Sequence, residues 1–546
     1  MPDRNDAGNA SAEAHHSFLR TALLGYLPLA IAVAWCQRDW INADLVSYAS
    51  VAHRLLEGPA SSVTGCWSPL LSWLMVPLLW LGIDDVLAAR SVLIAAGACY
   101  IAAIHRLGQR LAPNHDGAFV QAALLVCAAL QAVLWSGSMV TADLVGNACL
   151  FTGMAVLAAP RTLHSAPRAL LAGACFGLAY LGKAYLLTFL VPMLPVLLGL
   201  LRALANDRSR TERVDGVSIA QWLRTCVLCE LAMLAVAAPW IAVLTEHYGR
   251  FTFAEVGKTH HANVGPEWQG KDPMWNPPLQ LHWVLFFHFE PDWSPLQSWQ
   301  HFVHQLKLIA GNGSRVLVHM AGWLLLAIVA LVRRGRQRGL GAQLPLDGRS
   351  RLLLWLCGLW VAVYPLGYVL IDTERRYIIP TLAPMLCLLG LVLWVNVPSQ
   401  ALARSRSAAF GVLVGLLFGW QELRLIAVAA FRHNQMMPRS TAQALADRMR
   451  AAGVADLPFA ASDYHSGLGT AYLGHTQDRY FGKPQASDAA ARDAELRSAS
   501  VRCFVEFPQE GAPPVLPATW HQVAEAANTN GTTTVKPPPR IYVRDD

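Results

Sequence analysis

The stretch Trp40-Ile41-Asn42-Ala43-Asp44-Leu45-Val46-Ser47-Tyr48 places a carboxylate just past the first apolar run of membrane length. A carboxylate at the mouth of a membrane-embedded protein is expensive to desolvate, so such a residue is often functional. Asp143, Lys183 and the pair Arg375-Arg376 recur where the chain is expected to surface on the same side. Because these four polar positions are expected on one side of the membrane, the sequence predicts a cavity there rather than scattered surface charge.

The composition is that of a membrane protein. Of the 546 residues, 54% are hydrophobic and 14% are charged, whereas a soluble domain carries about 25% charged residues. Apolar runs of about 20 residues, long enough to cross a bilayer, recur through most of the chain. The formal charge of +7 comes from basic residues clustered between these runs. That arrangement indicates membrane topology and argues against a nucleic-acid partner.

These runs predict a polytopic α-helical membrane protein with about 11 transmembrane helices. The predicted spans are 18–36, 86–105, 118–136, 143–159, 168–183, 184–201, 222–244, 313–332, 352–371, 377–397 and 408–430. The division at Lys183 matters most, because Leu170 to Leu201 is nearly continuous and only Gly182-Lys183 and Pro192 interrupt it. A single helix there would invert the orientation of everything that follows, and two spans fit the charge pattern better.

Basic residues follow every second predicted span. They are Arg106, Arg110, Arg161, Arg168, Arg202, Arg208, Arg210, Arg213, Arg333, Arg334, Arg336, Arg338, Arg404 and Arg406. Because basic loops stay on the cytoplasmic side, the N-terminal tail 1–17 is predicted to be cytoplasmic. The outer loops 37–85 and 245–312 and the tail 432–546 then lie on the opposite side, together with the polar groups named above. We expect a bacterial inner-membrane protein whose C-terminal domain is periplasmic.

The chain divides by composition into two parts. Residues 18–431 carry all the predicted spans. Residues 432–546 contain prolines, charges and short β-branched or aromatic runs, such as Pro458-Phe459-Ala460-Ala461 and Val501-Arg502-Cys503-Phe504-Val505. Such runs are typical of strands, so the tail is predicted to be a small soluble α/β domain.

In the first outer loop, Asp44, Tyr48 and Leu55 fall on one face of a predicted helix, since they are separated by four and seven residues. The face is largely apolar, so the helix is expected to lie along the membrane surface until Gly58-Pro59 ends it. A simpler interpretation is that Asp44 or Asn42 caps this helix, as Asp and Asn often do. The polar groups elsewhere on the outer side favour a functional role for Asp44.

Four motifs, taken in order, resemble the GT-C membrane glycosyltransferases, and among these the protein mannosyltransferase and aminoarabinose transferase group. The first is Asp44 with its surface helix and the segment Trp67-Ser68-Pro69-Leu70. Thr141-Ala142-Asp143-Leu144 matches the second outer acidic position of that group. Gly177-Leu178-Ala179-Tyr180-Leu181-Gly182-Lys183 resembles its Gly-Leu-Ala-x-Leu-Thr-Lys signature. Glu374-Arg375-Arg376-Tyr377-Ile378-Ile379-Pro380 resembles its Arg-Tyr-x-x-Pro element.

One segment departs from the group. Many relatives carry His-Lys-Pro-Pro where this chain has Cys66-Trp67-Ser68-Pro69. A lysine expected to touch the donor phosphate is therefore missing, which leaves open a different donor or a different donor pose.

The resemblance implies a glycosyltransferase that moves a hexose or pentose from a polyprenyl phosphate, with inversion, to a glycan, lipid or protein acceptor on the outer face of the membrane. An attacking hydroxyl needs a base, and a carboxylate in a partly dry pocket suits that role. Asp44 is the candidate base. The departing phosphate needs cations, for which Lys183, Arg375 and Arg376 are candidates. Asp143, the second catalytic candidate, would orient the acceptor, bind a metal or hold a cation in place.

Tyr48, Trp67 and Tyr377 lie within or beside these motifs and are predicted to line the substrate pocket. The sequence contains no Walker loop and no Rossmann fingerprint before a predicted helix. That absence fits a donor delivered within the membrane.

Structural interpretations stay open for each of these polar residues. Asp143 could only cap its helix, and Lys183 could snorkel from a helix end. Arg375 and Arg376 could form a surface ion cluster with Asp372 and Glu374.

The long outer loop raises the question of a divalent metal. Histidine and carboxylate side chains can bind one, but their spacing here matches no tight metal signature. The tryptophans among them would equally anchor the loop to lipid or stack on sugar rings. The residues are His260, His261, His282, His288, Glu290, Trp268, Trp275 and Trp293. No cofactor is therefore certain.

Two rival functions remain. A transporter or flippase of a lipid-linked sugar would more often contain inverted repeats and polar residues at mid-membrane, and neither is evident in the sequence. An inactive lipid-binding relative is kept open by the missing lysine.

Overall fold

The computed structural model describes residues 4–58, 62–111, 117–159, 162–212, 216–266, 293–338, 348–395, 404–431, 437–476, 479–486, 488–507, 516–517, 519–525 and 539–544.

The first four-fifths of the described chain is helical. In chain order its helices and one short strand are α1 (Arg4–Cys36), β1 (Trp40–Ile41), α2 (Ala43–Glu57), α3 (Leu70–Trp80), α4 (Asp85–Leu111), α5 (Gly117–Gly137), α6 (Asp143–Leu157), α7 (Ala166–Gly182), α8 (Tyr185–Glu212), α9 (Ile219–Tyr248), α10 (Val256–Asn263), α11 (Trp299–Arg338), α12 (Gly348–Val363), α13 (Leu366–Val369), α14 (Arg375–Val395), α15 (Arg404–Phe418) and α16 (Trp420–Phe431).

The protein is a multi-pass membrane protein. Within the described residues, eight helical segments are long and apolar enough to cross a bilayer, and there are nine if α15 and α16, bent by 62° at Gly419, count as one span. Within the described residues, each predicted span overlaps at least one helix, and the spans 352–371 and 408–430 are each divided between two helices. Two of those helices, α6 and α7, are only 15 and 17 residues long, which is below the length of about 20 that a span needs. The expected count of about 11 is therefore unconfirmed.

The predicted break at Lys183 is present. Helix α7 ends at Gly182, and α8 begins at Tyr185. Lys183 has an extended backbone (φ −156°, ψ 107°) and closes α7 through its amide, which donates to Ala179 and Tyr180. The chain therefore turns at this point instead of continuing as one long helix.

Two glycines let α6 and α7 approach each other at this turn. A Cβ atom on Gly182 would lie only 2.7 Å from the Cα of Gly146, which is closer than packed carbon atoms allow. Small residues permit such close backbone contacts between membrane helices. The contact brings the start of α6, where Asp143 lies, next to Lys183.

The C-terminal region forms a small α/β unit, as the sequence predicts. Its elements are β2 (Met437–Pro438), α17 (Arg439–Ala451), β3 (Phe459–Ala461), α18 (Tyr464–Gly474), α19 (Ala489–Ser498), β4 (Cys503–Glu506), β5 (Trp520–Glu525) and β6 (Arg540–Arg544). The sheet order is β3-β4-β6-β5, in which β3 and β4 are parallel and the other pairs are antiparallel. Phe459, Phe504 and Ile541 are fully buried in it.

This unit is attached to the first loop of the membrane domain. Strand β2 pairs antiparallel with β1, directly before the helix that carries Asp44. The backbone amide of Arg439 also donates to the carbonyl of Asp39 at 2.6 Å. The Arg439 side chain pairs with Asp84, and the Tyr472 hydroxyl donates to Asp85. The segment before α2 and the start of the C-terminal unit therefore meet beside Asp44.

We expect Gly182→Ala to lower the apparent melting temperature of the purified protein in detergent. The added methyl group would force α6 and α7 apart, and overpacking of this kind costs about 1–3 kcal/mol. Gly358→Ala is the matched control, because a Cβ at Gly358 in α12 would meet no atom within 4 Å. Equal melting temperatures for the two variants would contradict the close-contact interpretation.

Candidate active site

A cavity of about 370 Å³ collects most of the residues singled out from the sequence. Its walls come from α2, the segment before α3, the start of α6, the turn between α7 and α8, α10, α13 and the start of α14. Seven of the predicted residues line it: Asp44, Tyr48, Trp67, Asp143, Lys183, Arg376 and Tyr377. Segments far apart in sequence therefore contribute to one site.

The first charged pair in the cavity joins Asp44 to Arg376. The Arg376 guanidinium donates to the Asp44 carboxylate, and its Nε atom lies 2.6 Å from Glu374. The Asp44 and Arg376 side chains are each 16% exposed. Asp44 lies in the first turn of α2, where the helix dipole favours a negative charge. Its ion pair faces the cavity, so helix capping does not account for this residue.

The second pair joins Asp143 to Lys183. Their side chains are 8% and 12% exposed, and the lysine ammonium donates to the carboxylate. The ammonium also lies 4.3 Å from the ring centroid of Tyr377 and 5.3 Å from that of Tyr368. These distances are within the range of cation–π attraction. Lys183 is thus held by a carboxylate and two aromatic rings inside the cavity, and it does not snorkel outward.

Burial changes the proton affinities of the groups in the cavity. Desolvation raises the pKa of Asp44, while the charge of Arg376 opposes that rise. Desolvation lowers the pKa of Lys183, and the charge of Asp143 opposes that change. The pKa of Tyr48 is raised well above its ordinary value by burial and then by the negative charges of Asp44 and Asp143. Asp44 is therefore a stronger base than an exposed aspartate.

Arg375, unlike its neighbour Arg376, pairs with a carboxylate outside the cavity. Its guanidinium donates to Glu422 of α16 at 2.9 Å, and the Glu422 side chain is 1% exposed. Among the described residues, Arg375 does not line the cavity. Of the alternative surface ion cluster, only the pair of Arg376 with Glu374 is formed among the described residues. Asp372 lies 3.6 Å from Arg315 instead.

Aromatic rings form much of the remaining wall. Trp67 meets Tyr48 edge to face, with ring centroids 5.3 Å apart. Tyr377 stacks on Tyr368 at 5.3 Å. At Trp67 the cavity therefore presents an aromatic ring and no positive charge.

His260 is a wall residue whose place in the cavity the sequence did not indicate. It lies on α10, and its ring centroid is 6.3 Å from that of Tyr377. Burial lowers its pKa, which favours the neutral imidazole. The sequence suggested His260 only as one of several histidines in a long loop, because α10 has no strong periodicity to show which side faces inward.

The described part of the chain contains no cluster of possible metal ligands. No group of three or more His, Cys, Asp or Glu side chains there could hold an ion. His282, His288, Glu290, Trp268 and Trp275 lie outside the described residues.

The described residues form a multi-pass helical membrane protein with a charged, aromatic cavity. The GT-C fold that the motifs predict is confirmed by the similar folds of the solved structures named below. No protein-family model matches the chain, and no curated protein matches its sequence.

Three solved structures have a similar fold. ArnT from Cupriavidus metallidurans in the apo state is 12% identical with a TM-score of 0.50, over 98% of each chain. The oligosaccharyltransferase of Archaeoglobus fulgidus in the apo form is 11% identical with a TM-score of 0.52, over 90% of this chain and 69% of that one. The arabinofuranosyltransferase AftD from mycobacteria is 13% identical with a TM-score of 0.51, over 97% of this chain and 40% of that one.

We expect Asp143→Asn and Lys183→Met each to destabilise the protein more than the double variant does. Removing one partner leaves the other charge buried and unpaired, which costs about 3–5 kcal/mol, whereas replacing both removes the charges together. Thermal unfolding in detergent measures the three variants against the wild type. A double variant whose loss equals the sum of the single losses would show that the two side chains are not coupled.

Proposed function

We propose that the protein is a glycosyltransferase that moves a sugar from a polyprenyl-phosphate donor to a glycan, lipid or protein acceptor on the outer face of the membrane. The observation that supports this proposal is the cavity in which Asp44, Asp143, Lys183 and Arg376 meet. Inverting transfer needs a base, cations for a departing phosphate and a surface for a sugar ring, and this cavity contains candidates for all three.

Asp44 is the proposed base. The acceptor oxygen attacks the anomeric carbon, its proton passes to the Asp44 carboxylate, and the bond between that carbon and the phosphate oxygen breaks. A single displacement of this kind inverts the configuration at the anomeric carbon. General bases work best when their pKa lies near the working pH, and burial moves the pKa of Asp44 in that direction.

Lys183 and Arg376 are the proposed partners of the donor phosphate. Charge that develops on the leaving phosphate is stabilised by cations already held in place. Both cations are bound to carboxylates here, so a phosphate that binds Arg376 would weaken its hold on Asp44. Donor binding would thus release the base for catalysis. Asp143 would keep Lys183 oriented, and Arg375 would support the start of α14 through Glu422.

Tyr48, Trp67 and Tyr377 are the proposed sugar-facing surface, since aromatic rings offer flat apolar faces to a sugar. Because Trp67 supplies no positive charge where many relatives have lysine, binding of the phosphate would depend on Lys183 and Arg376.

A second cavity, of about 460 Å³, offers space for a lipid chain next to the first. The two cavities share Ala184, Tyr185, Gly367 and Ile371. The second is also lined by Phe251 and Leu370, whose side chains are exposed. Most of its lining surface is apolar, and Arg250, Glu255 and Lys258 also border it. A largely apolar space beside the first cavity suits a polyprenyl chain whose phosphate reaches Lys183.

The proposed location is the bacterial inner membrane, with the N-terminus in the cytoplasm. The support is the alternation of basic connections along the sequence, since such loops stay cytoplasmic. In this orientation the cavity and the domain formed by residues 432–546 lie on the periplasmic side, and residues 18–431 form the catalytic domain in the membrane.

Native mass spectrometry of lipids bound to the purified protein tests the donor. After incubation with a bacterial membrane lipid extract, we expect Asp44→Asn to retain a polyprenyl-phosphate sugar and the wild type to retain mainly polyprenyl phosphate. Loss of the base blocks transfer but leaves Lys183 and Arg376 to bind the donor. Asp39→Asn is the matched control, because Asp39 is an exposed aspartate of the same segment.

Other outcomes would favour the rival functions. Sugar-bearing lipid bound equally by wild type and Asp44→Asn, together with lipid translocation in proteoliposomes, would indicate a transporter. Equal binding with neither transfer nor translocation would indicate an inactive lipid-binding protein. If no polyprenyl-phosphate species bound to either form, the donor class would be wrong.

The pH dependence of kcat/KM for the donor tests Asp44 as the base, because this ratio reports the pKa values of the free enzyme, in which Arg376 still pairs with Asp44. The base must be ionised, so kcat/KM should fall as the pH falls through the pKa of Asp44, and burial sets that pKa above the ordinary value of 3.8. Arg376→Gln removes the cation that favours the ionised carboxylate, so the acidic limb should move to higher pH. A limb that stays in place in Arg376→Gln would exclude Asp44 as the titrating group.

A further inference from the structure

The two chain connections that carry the carboxylates of the cavity are bound to each other. One connection, residues 37–42, runs from α1 to α2, and Asp44 is the second residue of α2. The other, residues 138–142, runs from α5 to α6, and Asp143 follows it. Any contact that fixes these connections relative to each other also fixes the spacing of the two carboxylates.

Asn42 makes such a contact with its side chain. Its amide nitrogen donates to the carbonyl of Val140 at 3.1 Å, and its amide oxygen accepts from the Val140 N–H at 3.3 Å. Asn42 is 7% exposed. It occupies the N-cap position of α2, yet its side chain makes no capping hydrogen bond. The amide is used to join two distant segments instead of ending its own helix.

Two further contacts hold the same segment. Arg90 of α4 is buried and donates to the carbonyls of Gln37, Ser136 and Gly137. These carbonyls lie at the C-terminal ends of α1 and α5, where the helix dipole favours a cation. On the other side, β1 pairs with β2 immediately before Asn42. The backbone that leads to Asp44 is therefore fixed from both sides, and Asn42 is the contact nearest the carboxylates.

We propose that Asn42 is a positioning residue, which sets the placement of Asp44 relative to Asp143 through its paired hydrogen bonds to Val140. This inference rests on the proposed function. A base acts only when it lies within hydrogen-bond reach of the proton that it takes. A displacement of about 1 Å at a reacting group can cost about 100-fold in rate, so loss of the pairing should act on the chemical step.

The chain contains a matched control for this contact. Asn206, near the end of α8, makes the same pair of hydrogen bonds with the backbone of Val217, at 3.2 Å and 2.6 Å. Asn206 lies 21 residues along α8 from Tyr185, which borders the cavity, and this corresponds to about 30 Å at the usual rise of a helix. Asn206→Ala therefore removes equivalent bonds far from the cavity.

The experiment compares Asn42→Ala, Asn42→Asp and Asn206→Ala with the wild type in nanodiscs. The assay supplies a bacterial polyprenyl-phosphate sugar fraction as donor and a bacterial envelope extract, which contains glycan, lipid and protein acceptors. Release of polyprenyl phosphate then gives kcat and KM. Hydrogen–deuterium exchange of the peptide containing residues 138–143 reports the contact itself. We expect Asn42→Ala to lower kcat by about 10- to 100-fold with little change in the donor KM, and to speed exchange in this peptide. Asn42→Asp keeps only the acceptor for the Val140 N–H, so it should be intermediate in both readouts. Asn206→Ala should match the wild type in both.

The outcomes separate this inference from the proposed function. If the wild type releases polyprenyl phosphate and Asn42→Ala does so at the same kcat, the positioning role is wrong and the proposed function stands. A reduction of kcat by the same factor in Asn206→Ala would show a general loss of stability and would also overturn the inference. If the wild type shows no release, the proposed function fails. Hydrogen–deuterium exchange then tests the contact between Asn42 and Val140 by itself. Faster exchange of residues 138–143 in Asn42→Ala supports this contact, and unchanged exchange overturns it.

Discussion

The burial of two ion pairs in one cavity is the constraint on which the rest of this structure depends. A buried charge is tolerated only when a partner and further polar contacts compensate for its lost hydration. Asp44 and Asp143 meet that requirement through Arg376 and Lys183, whose own segments must then be held close by. The glycine contact between α6 and α7, the break at Lys183 and the start of α14 provide that closeness. The fold thus brings four distant segments to one place before any substrate binds.

Under the proposed function, pairing in the free protein would give the cavity a defined state before the donor binds. Each cation is already oriented, so little side-chain freedom would be lost when a phosphate binds. Each carboxylate would be shielded by its partner until that exchange. Trp67 adds apolar surface and no cation, so Lys183 and Arg376 would have to compensate the phosphate charge.

Much of this could be predicted from local patterns. Asp44, Asp143 and Lys183 stand beside apolar runs, and the positive-inside rule assigns such positions to one face without three-dimensional information. Arg375 and Arg376 could not be told apart, because adjacent residues of a helix point about 100° from each other and the sequence does not fix the rotation. The inward position of His260 and the pairing of Asn42 with Val140 depend on contacts between distant segments, which periodicity does not report. The lengths of α6 and α7 show a further limit, since an apolar run indicates a helix more reliably than it indicates a complete span.

The pairing of β1 with β2 has a consequence for biosynthesis. Trp40 and Ile41 leave the ribosome early, whereas their partners Met437 and Pro438 follow only after α1 to α16 have been made. The membrane helices can therefore insert while the strand beside Asp44 still has an unpaired edge. A chain that stops before the C-terminal unit would contain the charged residues of the cavity but lack the strand that pairs with β1 beside Asp44. Completion of the site is thus tied to synthesis of the whole chain.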